Sequence, residues 1–413
     1  MSRLTFILLC LLVFCIPWQE MAVIPGMTTA SVLLGGATLF VAGLAVLIRV
    51  RVRKWPPALV VLAFYVVWTL ASMFWSISFE HSVARGITFL QVFFFVGLIY
   101  QFADTQDRIV WVMLSYIGGA SVSLVTLFAE LQAVNAPSNG LERLTGGDMN
   151  QNDLAATLCI AIVMAAYLAI RPAAKIVLLR KLLWAFVPCA AIGVLLTASR
   201  MGIIGLAVDI VVIALMAKVK GIKTIIALLI VACATAYYVP RIVSVQVFDR
   251  FAEGTQAHTF QERVEYWRVG LKYWTSHPIQ GAGAGCFRLL TESELEKPNV
   301  SHNTFVTILV ETGVVGFVLA AVFWFLLFKM IRRLPRLERA LWLGVFAVWA
   351  TCSMALTWEY HKDTWLIYGL LMAHYAAILA RRSRQASAIP RQFPERSRYD
   401  VVRQKENSRS VYP

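Results

Sequence analysis

Arg200, Arg263 and His302 are the residues of this sequence best suited to chemistry on an anion. Arg200 lies in Thr197-Ala198-Ser199-Arg200-Met201-Gly202, a tight turn between two apolar blocks. Two readings are open there: snorkelling to head groups, or a guanidinium that binds phosphate in a bidentate way and stays charged. Arg263 and Trp267 are spaced i, i+4 and share one helix face, whereas Arg268 points elsewhere. Glu262 and Glu265 can pair with neighbouring arginines as a solvated face. His302 stands in Ser301-His302-Asn303-Thr304, where a long polar loop re-enters an apolar run. It is either a polar cap or a proton-handling group beside the free N–H groups of a helix start, which attract anions. Glu311 falls about 180° round a straight helix from His302, so it is not expected to orient that ring. A packing or interhelix hydrogen-bond role suits it better.

Further candidates surround these three. Pro278-Ile279-Gln280-Gly281-Ala282-Gly283-Ala284-Gly285 permits close backbone approach or positive φ, and a phosphate nest is one use of such a run. The stretch from Arg143 to Asp153 holds Gly146, Gly147, Asp148, Asn150 and Asn152. It reads either as a divalent-cation loop through Asp148 and Asp153 or as a turn that caps the next helix through Asn152 or Asp153. Arg85, Arg143 and Arg288 are among the few cations outside the basic clusters described next. Trp267 and Trp274 can stack on sugar rings or simply pack under the loop.

The elements that must position these groups are membrane helices. Of 413 residues, 59% are hydrophobic and 15% charged, against about 45–50% and 25% in soluble domains. The apolar residues fall in blocks of about 17–25, the length that crosses a hydrocarbon core. These blocks cover about 4–20, 28–48, 57–75, 84–102, 109–133, 153–170, 179–197, 201–217, 222–239, 303–328, 340–357 and 364–380. The first resembles a signal peptide but lacks a clean small-residue cleavage site, and reads as a retained helix. Twelve alternating helices place Arg49–Lys54, Arg171–Lys181, Lys218–Lys223, Lys329–Arg339 and Arg381–Arg384 all on one side. The positive-inside rule makes that side, and both termini, cytoplasmic. The net charge of +15 therefore has its source in basic loops, and nucleic acid is not an expected partner. Seven cysteines, only Cys286 of them in the large loop, give no disulfide framework and no Cys-x-x-Cys spacing. We expect one membrane domain over 1–380. It contains a large, partly helical outer loop over 240–302, with helical pattern from Gln261 to Tyr273. A disordered basic cytoplasmic tail over 381–413 follows.

Four ordered pieces carry a family resemblance. They are Trp75-Ser76 with Arg85, the Gly146–Asn152 turn, Thr197–Gly202, and the run from Arg263-x-x-x-Trp267 through Pro278, Gly281 and Gly283 to His302-Asn303, closed by Glu311-x-Gly313. With the twelve-block layout they resemble the O-antigen ligase and O-antigen polymerase superfamily of bacterial envelope enzymes. The resemblance implies an all-α, GT-C-like polytopic protein of the inner membrane with a large periplasmic loop. It implies a metal-independent, inverting glycosyltransferase without a cofactor. The donor would be a glycan on undecaprenyl diphosphate. The acceptor would be lipid A-core in a ligase, another lipid-linked repeat in a polymerase, and protein in some relatives. Membrane lipids complete the implied partners. On this reading His302, Arg200 and Arg263 are catalytic, with His302 taking or orienting the acceptor proton. Arg85, Arg143, Asn152, Trp267, Gly281, Gly283, Arg288, Asn303 and Glu311 bind substrate. A transporter or flippase is the competing class. It expects charge near mid-membrane, for which Asp209 and Glu311 are the chief candidates.

Overall fold

The computed structural model describes residues 2–21, 29–48, 52–134, 150–171, 177–218 and 255–388. The elements among the described residues are helices: α1 (Ser2–Cys15), α2 (Ala30–Leu47), α3 (Pro57–Ala71), α4 (Phe79–Phe102), α5 (Gln106–Val134), α6 (Gln151–Ile170), α7 (Val177–Leu196), α8 (Arg200–Met216), α9 (Thr255–Ser276), α10 (Phe287–Leu295), α11 (Thr304–Arg332), α12 (Arg336–Ser353) and α13 (Lys362–Ala388). Eight of them are long and apolar enough to cross a membrane. This is an all-α, multi-pass membrane protein. The expected block at 222–239 lies outside the described residues, and each of the other eleven blocks is a helix. α13 continues to Ala388, through Arg381, Arg382 and Arg384, where a polar tail was expected from 381. Continuing the helix keeps the backbone groups of these residues hydrogen-bonded.

α6 is the central post. Every residue from Leu154 to Ala169 is buried, and α5, α7, α8 and α12 pack around it. A helix that is apolar all round, with Ala at many positions, admits close neighbours on every side. The two ends of the bundle differ. At one, Arg53 donates to the Tyr100 carbonyl and Arg171 reaches Gln106. At the other lie the α9–α10 segment and the starts of α4, α6, α8, α11 and α13, cross-linked by the hydrogen bonds described below.

One break in a helix organises that second end. α11 is interrupted at Gly313 (φ 65°, ψ −171°), a conformation that essentially only glycine adopts. The break would strand carbonyls and N–H groups in apolar surroundings, where each unsatisfied group costs several kcal/mol. Neighbouring segments satisfy them. Ala282 N–H donates to the Val310 carbonyl and Gly283 N–H to that of Glu311, both at 2.9 Å. Trp68 Nε1–H of α3 donates to the Thr312 carbonyl at 2.8 Å, and the Val314 N–H donates to the Pro278 carbonyl at 2.8 Å. The inserted segment is held from behind by the α3–α4 turn: Ile77 N–H to the Ala282 carbonyl, Trp75 Nε1–H to the Gln280 carbonyl, and Ala284 N–H to Ser72 Oγ. The chains cross so closely that a Cβ at Gly281 would sit 2.6 Å from Gly313 N, and one at Gly283 2.3 Å from Ser76 Oγ.

Gly313→Ala is therefore expected to destabilise the protein by about 3 kcal/mol or more, because its Cβ would also lie 2.2 Å from the Ile279 carbonyl oxygen. Gly36→Ala, in open space within α2, is expected to be neutral or stabilising by up to about 1 kcal/mol. Thermal unfolding in detergent measures both, and equal midpoints would contradict the role given to the break.

Candidate functional site

Arg263 and His302 are brought together by a small core of their own. Tyr266 and Val269 of α9 pack with Ala282, Cys286, Phe287, Leu290 and Val310, which fixes α9 against α10 and the first part of α11. One turn after Arg263, Trp267 Nε1–H donates to the Ser301 carbonyl at 2.8 Å. Ser301 Oγ accepts from Asn303 N–H at 2.9 Å and also contacts Thr307 Oγ1. Asn303 Oδ1 caps α11 by accepting from the N–H groups of Phe305 and Val306 at 3.0 and 3.1 Å. This double turn forces His302 into the left-handed region (φ 49°), a strained state of the kind that clusters at functional sites.

The electrostatics of the pair are unusual. Among the described residues, the buried Arg263 Nε has no hydrogen-bond partner and Arg263 forms no ion pair. Burial alone pulls its pKa down from the ordinary arginine value. Burial, and then the Arg263 charge, drive the His302 pKa down to about 4. At neutral pH the site is an uncompensated guanidinium beside an uncharged imidazole. A half-buried cation without a counter-ion is a ready anion site.

Arg200 begins α8 and is exposed. The turn before it contains a second left-handed residue, Ala198 (φ 52°), and Ser199 Oγ accepts from Gly202 N–H as the helix cap. Ser199 Oγ also donates to Asn152 Oδ1 at 2.6 Å, tying the start of α8 to the start of α6. The α6 cap differs from expectation. Asn150 fills it, its side chain accepting from Asn152 N–H, because the helix already begins at Gln151. Asn152 and Asp153 are thereby freed for contacts between helices. Trp358 Nε1–H donates to Asp153 Oδ1 at 2.5 Å, and Trp358 N–H donates to Thr304 Oγ1 at 2.8 Å. A line of contacts thus runs Arg200–Ser199–Asn152–Asp153–Trp358–Thr304 to the residues flanking His302.

Arg85, Glu311 and the glycine run form a different group. The Arg85 guanidinium stacks 3.5 Å from the Tyr360 ring centroid and lies against Gly285. Glu311 is buried and accepts from Gly285 N–H at 2.7 Å and Phe287 N–H at 3.1 Å, so its carboxylate caps the start of α10. The phosphate nest does not form. The N–H groups of Gly281, Ala282, Gly283, Ala284, Gly285 and Phe287 all donate within the protein, to His277, Val310, Glu311, Ser72 and the Glu311 carboxylate. The discontinuous helix consumes these donors, leaving none for an anion. Arg288 is exposed on α10. Arg143 and Asp148 lie outside the described residues. Asp209, the mid-span acid that favours transport, is buried beside Cys159, and neither carboxyl oxygen has a hydrogen-bond partner among the described residues.

The segment Trp358-Glu359-Tyr360-His361, which leads into Lys362 at the start of α13, was not singled out from sequence. Trp358 ties α6 to α11, Tyr360 holds Arg85, and Lys362 Nζ donates to Gln19 and Ser31 at 2.6 Å each. His361 Nδ1 lies 2.9 Å from Asp363 and its ring stacks on Trp358. The legible signal was the density of aromatic and charged residues in a short loop on the face that collects the other unusual groups.

Fold and site define a multi-pass membrane protein with a cationic site where α9 packs on the start of a broken helix. Residues 184–321 match the family model described as O-antigen ligase; the match takes in Arg200, Arg263, His302 and Glu311 and supports the resemblance to the O-antigen ligase and polymerase superfamily. No curated protein matches it.

Trp267→Phe keeps the ring but removes the hydrogen bond to Ser301. The expected cost to stability is about 1 kcal/mol, with a larger proportional loss of activity because the Arg263–His302 spacing relaxes. An unchanged turnover at full expression would contradict this positioning.

Proposed function

We propose that this protein is a metal-independent, inverting glycosyltransferase of the bacterial inner membrane. It moves a glycan from undecaprenyl diphosphate to lipid A-core at the periplasmic face, as an O-antigen ligase, with both termini cytoplasmic. The observation that carries the reading is the buried, unpartnered Arg263 Nε beside the neutral ring of His302.

The chemistry follows from the leaving group. The acceptor hydroxyl oxygen bonds to the anomeric carbon as that carbon's bond to phosphate breaks, and the electron pair passes to the diphosphate. Direct displacement inverts the centre. Arg263, with Arg200 at the start of α8, is aimed at the charge that grows on phosphate oxygen, where fixed cations lower the barrier most. His302 is neutral and can accept the hydroxyl hydrogen. In the free protein it is a weak base, since burial and Arg263 disfavour its protonated form. A bound diphosphate offsets the Arg263 charge and raises the basicity of His302 when the donor is present. Arg288 and Arg143 are further candidates for phosphate, and Trp267 for a sugar face. Asn152 and Asn303 hold the two helix starts.

In a strain lacking the protein, long polymer is expected to remain on undecaprenyl diphosphate. Single repeats there would assign a polymerase instead, and unchanged lipid-linked glycan would overturn the enzyme reading. Arg263→Ala and His302→Ala are each expected to lower transfer at least about 100-fold without loss of membrane insertion, and Arg263→Lys should not restore it. Transfer should persist in chelator.

The pH profile of kcat/KM reports the free enzyme. With His302 held near 4, the base is already available at pH 5.5, so no inflection is expected near the ordinary histidine value of about 6.5. On the acid side, a fall should appear only as pH drops towards 4. An inflection at 6.5 that disappears in His302→Gln would show that His302 is not desolvated as described.

A further inference from the structure

Behind the site, one small cavity has polar groups aimed into it. Its lining includes Tyr65 of α3, Thr304 and Trp324 of α11, Tyr368 of α13, and Glu359. Glu359 is 6% and Tyr65 4% exposed. Among the described residues, Glu359 Oε2 and the Tyr65 hydroxyl are both buried without a hydrogen-bond partner. The cavity volume is about 20 Å³, enough for one water, and a buried water needs two to four polar partners. Tyr65, Thr304, Tyr368 and Glu359 supply them.

The charges around Glu359 are unequal in number. Arg85 is the cation and Glu311 the second carboxyl of this cluster. Glu311 already accepts two backbone N–H bonds, which stabilise its ionised form. Glu359 has only its own backbone N–H to set against this, and among the described residues its Oε2 has no hydrogen-bond partner.

We propose that the cavity holds an ordered water bridging Glu359 and Tyr65, and that Glu359 is the protonated acid of a buried triad with Arg85 and Glu311, so that this site admits one negative charge only. Glu359 then acts as a positioning residue. It directly follows Trp358, whose N–H holds Thr304, the first residue of α11 and second after His302. A second carboxylate in the triad would unseat this segment.

The surroundings agree from each side. Burial, then the Glu311 charge of α11, push Glu359 up to about 8, with Arg85 of α4 and His361 acting the other way. Tyr360 of the same segment lies over Arg85, and Tyr65 and Tyr368 close the cavity. A carboxyl whose folded-state pKa is raised contributes stability that is complete below its unfolded pKa. That contribution declines as pH rises through about 8.

Infrared difference spectroscopy of the full-length protein in detergent tests the proton directly and does not depend on the proposed reaction. Wild type at pH 7 is expected to show a protonated-carboxyl carbonyl component, separate from that of the buried Asp209, that is lost in Glu359→Gln and shifted in Tyr65→Phe, which loses only the hydroxyl. Persistence of the full band in Glu359→Gln, or its loss in Glu311→Gln instead, would overturn the assignment. An unshifted band in Tyr65→Phe would remove the bridging water. The consequence for the site rests on the proposed transferase. Wild-type transfer should fall about tenfold from pH 7 to 9, while Glu359→Gln should show no such fall. The same fall in both would overturn the positioning role alone.

Discussion

The break in α11 at Gly313 is the constraint from which the rest follows. A continuous helix would need nothing from its neighbours. A broken one inside an apolar bundle must have its freed carbonyls and N–H groups met by protein, and residues 278–283 meet them. That obligation places the polar segment deep between α3, α4 and α11, at the crossing that Gly281 and Gly283 permit. From there α10 starts on the Glu311 carboxylate and α9 packs back over α11. Arg263 reaches His302 only because this stack is rigid.

Arg85 and Arg263 show how neighbours decide what one residue type does. Both are substantially buried cations at the same end of the bundle. Arg85 has two carboxyls and a Tyr360 ring around it, so its charge is matched within the fold. Arg263 has a neutral histidine beside it and, among the described residues, no paired acid. The first arginine holds structure, and the second leaves a positive site for something that is not protein.

The loop between α12 and α13 is the joint between these two environments. Trp358 bonds to α6 and α11, and Tyr360 stacks on Arg85. Few of these contacts have an apolar substitute. Each satisfies a polar group that the bundle would otherwise bury unpaired, at a cost of about 1–3 kcal/mol.

The sequence by itself determined the helices and their membrane character. Hydropathy and positive charge in loops act over a window of neighbours, so a linear reading captures them. The loop helix carrying Arg263 and Trp267 was legible for the same reason: a 3.6-residue period needs no knowledge of the partner. Only the tertiary structure decided which polar groups are spent and which are free. The glycine run looked like a phosphate cradle, yet its N–H groups close the gap in α11. Asn152 looked like a cap, yet it bonds to Ser199 while Asn150 caps. Trp358 drew no notice, yet it joins segments more than fifty residues apart in the chain. Hydrogen bonds and buried charges are settled by partners far away in sequence, and no local property of the chain records who those partners are.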